Sequence, residues 1–193
     1  MRSARRSFSC RYEDDCSDYA PATWLGWAHA ALGDGERATR IFRLLNPVLH
    51  AETIADSNRY RVEPYALAAD IYSVPPWVGR GGWTWYTGSA AWMWRLGVEA
   101  ILGLQRSDGG LRVEPCIPPS WKGFEAWVHI GRQRVHIVVE NPDRFATGVA
   151  SMTLDGVALE SNRVKLDPSA AGMHEVHVRL GSHTMGSVLS RSA

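Results

Sequence analysis

The hydrophobic period of this chain changes part-way along its length, and that change limits the architectures open to it. Up to about residue 104 the apolar residues recur at helical spacing. Ala38, Ile41, Phe42 and Leu45 fall at i, i+3, i+4 and i+7, and Trp24, Leu25, Trp27, Ala28, Ala31 and Leu32 form an earlier stripe. Beyond residue 123 they alternate, as in Phe124, Ala126, Val128 and Ile130, then Val135, Ile137 and Val139, and later Val176, Val178 and Leu180. A chain that reads helices first and strands afterwards is an α+β chain with segregated elements. Its 193 residues suffice for one large domain or two small ones.

Turn chemistry divides the helical part. Gly33-Asp34-Gly35 ends one helix and opens the next, with Asp34 a candidate N-cap. Asn46-Pro47 stops the second helix, because the residue before proline is pushed out of the α region. Pro64 opens a third expected helix over 64–72, which Pro75-Pro76 terminates. A glycine-rich loop over 78–84 then leads into a long helix over 87–104. That helix is apolar around most of its girth, with Met93, Leu96, Ala100 and Leu104 on one side and Trp94, Val98 and Ile101 beside them, and is expected to be buried. In the strand part, Asp155-Gly156 between two short apolar runs is a strong hairpin signal. Ser107-Asp108-Gly109-Gly110 reads as the joint between the two parts.

Bulk properties exclude several function classes. A net charge of +1, with no basic run on a helix face, gives no electrostatic reason to expect nucleic acid. Arg2, Arg5 and Arg6 read as a solvated tail. No window approaches the ~18 apolar residues of a membrane span, and the N-terminus has no apolar core of a signal peptide. Cys10, Cys16 and Cys116 are odd in number and lack zinc spacing, so reduced thiols and a cytoplasmic setting are expected. His129, His136, His174 and His177 fall on strands, and the last two, three apart, take opposite faces, which suggests no metal site. No GxSxG elbow is present.

The candidate site is the segment Trp83-Thr84-Trp85-Tyr86-Thr87-Gly88-Ser89-Ala90. Five of the nine tryptophans, Trp77, Trp83, Trp85, Trp92 and Trp94, fall in 77–94, around Gly81-Gly82 and Gly88. Indole faces stack on sugar C–H faces, and a loop entering a helix at Thr87-Gly88 leaves free N–H groups whose dipole favours an anion. Thr87 adds a hydroxyl donor and Gly88 allows close backbone approach. From spacing alone the alternative stays open: Thr87 caps the helix and Gly88 packs against a neighbour. Arg80 meets a phosphate, a hydroxyl or solvent. Glu63 is expected in the first turn of the third helix with Tyr65 packing beside it, and Glu114, Trp121 and Trp127 are expected where the two parts meet.

These strings resemble a known family. Trp85, Thr87, Gly88, Ser89 and Ala90 match the tryptophan–x–Thr–Gly–small–Ala segment of the inverting disaccharide phosphorylases of glycoside hydrolase family 94, nearest to the phosphorylase region of cyclic β-1,2-glucan synthases. Tyr60-Arg61-Val62-Glu63-Pro64-Tyr65, with the five residues that follow, and Glu114-Pro115-Cys116-Ile117-Pro118 also match, and the likeness runs from about Thr23 to Trp127. The resemblance implies the C-terminal part of an (α/α)6 helical barrel followed by a small antiparallel β-sandwich. It implies residues 1–21 unmatched, 22–106 partial barrel, 107–181 sandwich and 182–193 a frayed tail. The implied chemistry is reversible, inverting phosphorolysis of a β-glucoside to α-glucose 1-phosphate, with phosphate as nucleophile and an aspartic acid protonating the departing oxygen. Thr87 and Gly88 would hold phosphate, a substrate, with no cofactor or metal; Trp83, Trp85 and Arg80 would face the sugar.

Two departures follow from the same resemblance. The general-acid Asp belongs to a segment upstream of anything matched, and Asp70, Asp14 and Asp15 do not stand at its position. Relatives carry a phosphate-holding His just before the first helix, where this chain reads Asp18-Tyr19-Ala20-Pro21-Ala22; His29 and His50 lie elsewhere. The expected function is therefore a phosphorylase fragment, inactive alone, from a truncated or frameshifted product. The alternatives are a carbohydrate-binding or subunit-contact module and an inactive remnant. The expected partners are β-glucan or a disaccharide, phosphate, and a second copy or the rest of the barrel.

Overall fold

A computed structural model describes residues 19–182, apart from 86, 108 and 168. The expectations placed on 1–18 and on the tail from 183, including Cys10, Cys16, Asp14 and Asp15, lie outside the described residues, as do Tyr86 and Asp108. The described residues divide into two compact units, one of 19–29 with 37–97, the other of 30–36 with 98–182.

In the first unit α1 (Tyr19–Ala31) carries Pro21 in its first turn, where a missing N–H costs nothing. It pairs in sequence with α2 (Gly35–Leu45). The expected apolar stripe of α1 is not its buried face. Ala22, Thr23 and Gly26 are buried, while Trp24 and Leu25 are exposed, because the small side lets neighbours come close. A side chain on Gly26 would collide with Leu96 and press on Ile41. α2 packs as its spacing predicts, with Ala38 and Leu45 buried and Ile41 and Phe42 against the core of Ala22, Tyr60, Leu67, Ala68 and Met93. Asn46 ends it and caps the 3-10 turn Pro47–His50, its side chain accepting from the Val48 amide at 3.1 Å.

A helix absent from the expectation follows, α3 (Ile54–Tyr60). Thr53 caps it, accepting from the Asp56 amide at 3.1 Å, and Arg61 ends it in the left-handed region at φ 55°. The helix expected over 64–72 does not form. Its backbone bonds go sideways instead: Ala69 N–H donates to Trp83 O, Tyr72 N–H to Arg80 O, and Gly82 N–H to Asp70 O. The glycine loop is thus the second arm of an irregular hairpin, with Ile71 and Gly81 bridged. Pro75-Pro76, joined by a cis bond, lies in the stretch between the arms. α4 (Thr87–Arg95) is also shorter than expected. It passes into a π turn, Leu96–Ile101, and residue 104 already begins a strand. Met93 and Leu96 are buried as predicted, but Trp94 is exposed.

Among its described residues the second unit holds two sheets. β1 (Leu104–Ser107), β2 (Gly110–Val113) and β7 (Arg163–Lys165) form one of three strands. Ser107–Gly110, expected as a joint between parts, closes the β1–β2 hairpin. The other sheet has the order β3-β4-β8-β5-β6, from β3 (Gly123–Ile130), β4 (Arg132–Glu140), β5 (Val149–Leu154), β6 (Val157–Ala158) and β8 (Ala171–Leu180). It is not wholly antiparallel as expected, because β4 and β8 run parallel. The chain leaves β4, adds the β5–β6 hairpin and β7, and returns beside β4 in its direction. Val135, Ile137, Val139, Val176, Val178 and Leu180 are all buried, so the alternation fixes one apolar face. Asp155 and Gly156 both take positive φ, as a two-residue type I′ turn needs.

The 30–36 turn belongs to this second unit. Gly33 ends α1 at φ +81°, and any side chain on Gly35 would run into the Ile117 carbonyl. Cys116 is buried, and burial, with Asp34 nearby, pushes its thiol up to about 11, so it is an inert thiol at neutral pH. We predict that Ile137→Ala destabilises the second unit by about 2–5 kcal/mol in denaturant unfolding. Val157→Ala, at an exposed position of β6, should stay within about 0.5 kcal/mol.

Candidate functional site

The indole-rich segment is solvent-facing. Trp77, Trp83 and Trp85 are 50%, 67% and 64% exposed. Trp85 takes φ 64°, a left-handed conformation with no glycine to ease it, at a cost of about 1 kcal/mol. What holds it lies 22 residues away in sequence. Its indole N–H donates to the Glu63 carboxylate at 3.2 Å, and Tyr65 meets its ring edge-on at a centroid distance of 6.0 Å.

Glu63 is therefore not a helix-dipole residue as expected, since no helix begins there. Its own backbone amide, the Trp85 indole and the Thr84 hydroxyl hold its carboxyl below the ordinary glutamate range. No sequence signal at so long a separation reveals this pairing. Arg80 is also engaged: its guanidinium lies 5.1 Å from the centre of the Trp77 ring. The site residues thus form two side-chain groups, Arg80 with Trp77 and Trp85 with Glu63 and Tyr65.

Thr87 is the first residue of α4, and Tyr86 before it lies outside the described residues. Thr87 and Gly88 are exposed, whereas Ser89 is buried. The expectation that Gly88 packs against a neighbour is overturned, because a Cβ built there meets nothing within 4 Å. Gly81 and Gly82 are different. A side chain on the first would strike Val62 and Tyr60, and one on the second the Asp70 carboxylate. Those two glycines serve packing; Gly88 faces open space.

The other chemistry-bearing residues are used locally. Trp127 stacks on His136 at 4.2 Å and carries the Arg134 guanidinium at 4.1 Å, all on one sheet face. Glu114 pairs with Arg112. His174 bonds Asp155 at 2.6 Å, which supports the β5–β6 turn. Among the described residues no group of three or more His, Cys, Asp or Glu could hold a metal ion, and no helix is long and apolar enough to cross a membrane.

Comparison with known proteins gives the class of catalytic domain to which this segment belongs. Residues 8–103 match the family model described as the glycosyl hydrolase 94 superfamily, catalytic domain, and the chain belongs to that superfamily. The match begins earlier than Thr23, where the motifs placed the start of the likeness. The cyclic beta-(1,2)-glucan synthase NdvB of Rhizobium meliloti (strain 1021) is 46% identical over 131 residues, 68% of this chain and 5% of that protein. The N,N'-diacetylchitobiose phosphorylase of Vibrio proteolyticus is 35% identical over 163 residues, 83% of this chain and 20% of that enzyme. The chain therefore spans from a twentieth to a fifth of the length of these relatives. Among solved structures, a family GH92 alpha-mannosidase of Bacteroides thetaiotaomicron aligns with 84% of this chain and 18% of its own, at 9% identity and a TM-score of 0.35.

The Glu63–Trp85 bond carries a pH dependence. A carboxyl held below its unfolded value stabilises the fold above that value and loses the contribution as pH falls through the folded one. The Trp85 indole N–H resonance should hence titrate with a midpoint below that of an ordinary glutamate. A midpoint at or above that value, or an unchanged titration in Glu63→Gln, would contradict the assignment.

Proposed function

We propose that this chain carries the phosphate-binding end of an inverting glycoside phosphorylase site. Thr87 and Gly88, in the first turn of α4, receive inorganic phosphate; Trp83 and Trp85 offer faces to the sugar, and Arg80 a cation at the rim. The observation that carries this reading is Gly88. Glycine in a helix costs up to about 1 kcal/mol against alanine, and no neighbour in the described structure demands it there. Open backbone at a helix N-terminus is where an oxyanion is favoured. The family match and the phosphorylase among its relatives support the same reading.

In this scheme a phosphate oxygen attacks the anomeric carbon of a β-glucoside from the face opposite the glycosidic bond. That bond breaks as the departing oxygen takes a proton, and α-glucose 1-phosphate forms. The proton donor is assigned to no residue of this chain. Phosphate is a substrate, and the scheme needs no cofactor. We place the reaction in the cytoplasm and the helices in part of an (α/α)6 barrel. Exposed Trp24, Leu25, Leu44 and Trp94 support the second point, since apolar helix faces of that size suit further helices or a second copy.

Titration of the 193-residue chain with inorganic phosphate, followed at the Thr87 and Gly88 amides, tests the reading. Thr87→Ala should weaken binding about tenfold, the worth of one hydrogen bond to a charged group. Gly88→Ala should stabilise α4 while lowering affinity. Incubation with phosphate and a β-glucoside should release no glucose 1-phosphate. An affinity unchanged in both variants would remove the assignment.

A further inference from the structure

One end of the five-stranded sheet gathers cations that no part of the reading above uses. Lys122 precedes β3, Glu140 ends β4 and Arg179 lies near the end of β8; in the register, Gly123 faces Glu140 and Glu140 faces Arg179. Three adjacent strand ends thus stand side by side. The loop that leaves β4 closes over them, and an open cavity of about 460 Å³ is lined by Lys122, Glu140, Asn141, Pro142, Arg144 and Arg179.

Hydrogen bonds of Asn141 tie the loop down. Asn141, 1% exposed, accepts from the Phe145 amide at 2.8 Å and donates to the carbonyls of Phe145 at 2.8 Å and Trp121 at 3.1 Å. Its own amide donates to Lys122 O at 2.8 Å. That network holds Arg144 at φ 57°, where glycine or asparagine would be easier. Backbone geometry therefore does not account for an arginine at 144. Arg144 spends one N–H on Ser120 O at 3.3 Å, and Arg179 one on Asp143 at 3.0 Å, which leaves donors on both guanidinium groups. The Lys122 ammonium makes no hydrogen bond or ion pair among the described residues.

We infer that this cavity binds a phosphate monoester bearing hydroxyl groups. Lys122, Arg144 and Arg179 meet the phosphate, and Glu140 accepts from hydroxyls. Three cations against Glu140 and Asp143 leave the site net positive, and its volume suits a sugar phosphate rather than a bare ion. The arrangement is complete within the second unit and stands whether or not Thr87 and Gly88 hold phosphate.

The test is amide-resolved NMR titration of the full chain with glucose 1-phosphate, inorganic phosphate and glucose in separate arms. Glucose 1-phosphate should shift the amides of Lys122, Arg144, Phe145 and Arg179 saturably, and more tightly than inorganic phosphate; glucose should not. Lys122→Ala should weaken binding about fivefold or more. Arg144→Gly should do the same while raising the Tm of the second unit, because it relieves the left-handed arginine. Shifts confined to Thr87 and Gly88, equal affinity for inorganic phosphate, or an Arg144→Gly chain that binds as well as before would each overturn the inference.

Discussion

Gly26 sits where α1 meets Leu96 and Ile41 of α2. A Cβ there would lie 2.7 Å from a Leu96 methyl and 3.2 Å from Ile41, so the absent side chain sets how near the helices can approach. Gly97 repeats the device from the other side, beneath the ring of Phe42. With α1 seated on its small face, its large residues turn outward, and Leu96 can be fully buried. The first turn of α4, which carries Thr87 and Gly88, stands at the far end of the helix that this packing anchors. Exposed Trp24 and Leu25 are the complement of the same choice. A helix cannot bury both its small and its large side against so few neighbours.

The sheet was more legible in the sequence than the helical unit, and the reason is physical. Strand alternation has period 2, and a one-residue error would turn Val135, Ile137 and Val139 to water, so pattern and burial must agree. Asp155-Gly156 names its own turn through positive φ. The parallel β4–β8 pair was invisible because a local pattern carries no strand order. In the helices, periodicity showed that α1 and α2 exist but not which side faces in. Apolar count favoured the tryptophan stripe; close approach favoured alanine and glycine. Thr53 with Asp56 three residues on was a readable cap for α3. The reading over 64–72 failed because Pro64 and a run of alanines suit a helix, whereas Ala66, Leu67 and Ala68 are claimed by the core and the backbone beyond them by the glycine loop.

Of the candidate site, the residues Trp83, Trp85, Thr87 and Gly88 could be named from their spacing, since aromatic density beside glycine is a local property. What could not be named is the partner that fixes Trp85. Glu63 reaches Trp85 only because residues 60–72 fold back along 80–83, and Gly81 and Gly82 permit that by leaving room for Tyr60, Val62 and Asp70. Glycines that look alike in the sequence therefore divide into two uses, packing at 81 and 82 and open backbone at 88.

Among the described residues, four that are not glycine hold positive φ: Arg61, Trp85, Arg144 and Asp155. Two have local reasons. Arg61 ends α3, and Asp155 is in a turn that tolerates aspartate and gains bonds from Glu175 N–H and His174. Trp85 and Arg144 have none, and each is held by hydrogen bonds that differ in range. The bonds around Arg144 come chiefly from Asn141, three residues away, so that loop is set by its own segment and its sheet end. Trp85 depends on Glu63, 22 residues earlier, and hence on the whole of the irregular hairpin. Disturbance of the first unit's packing would reach the α4 entrance through that tie, while the sheet-end cavity would keep its shape.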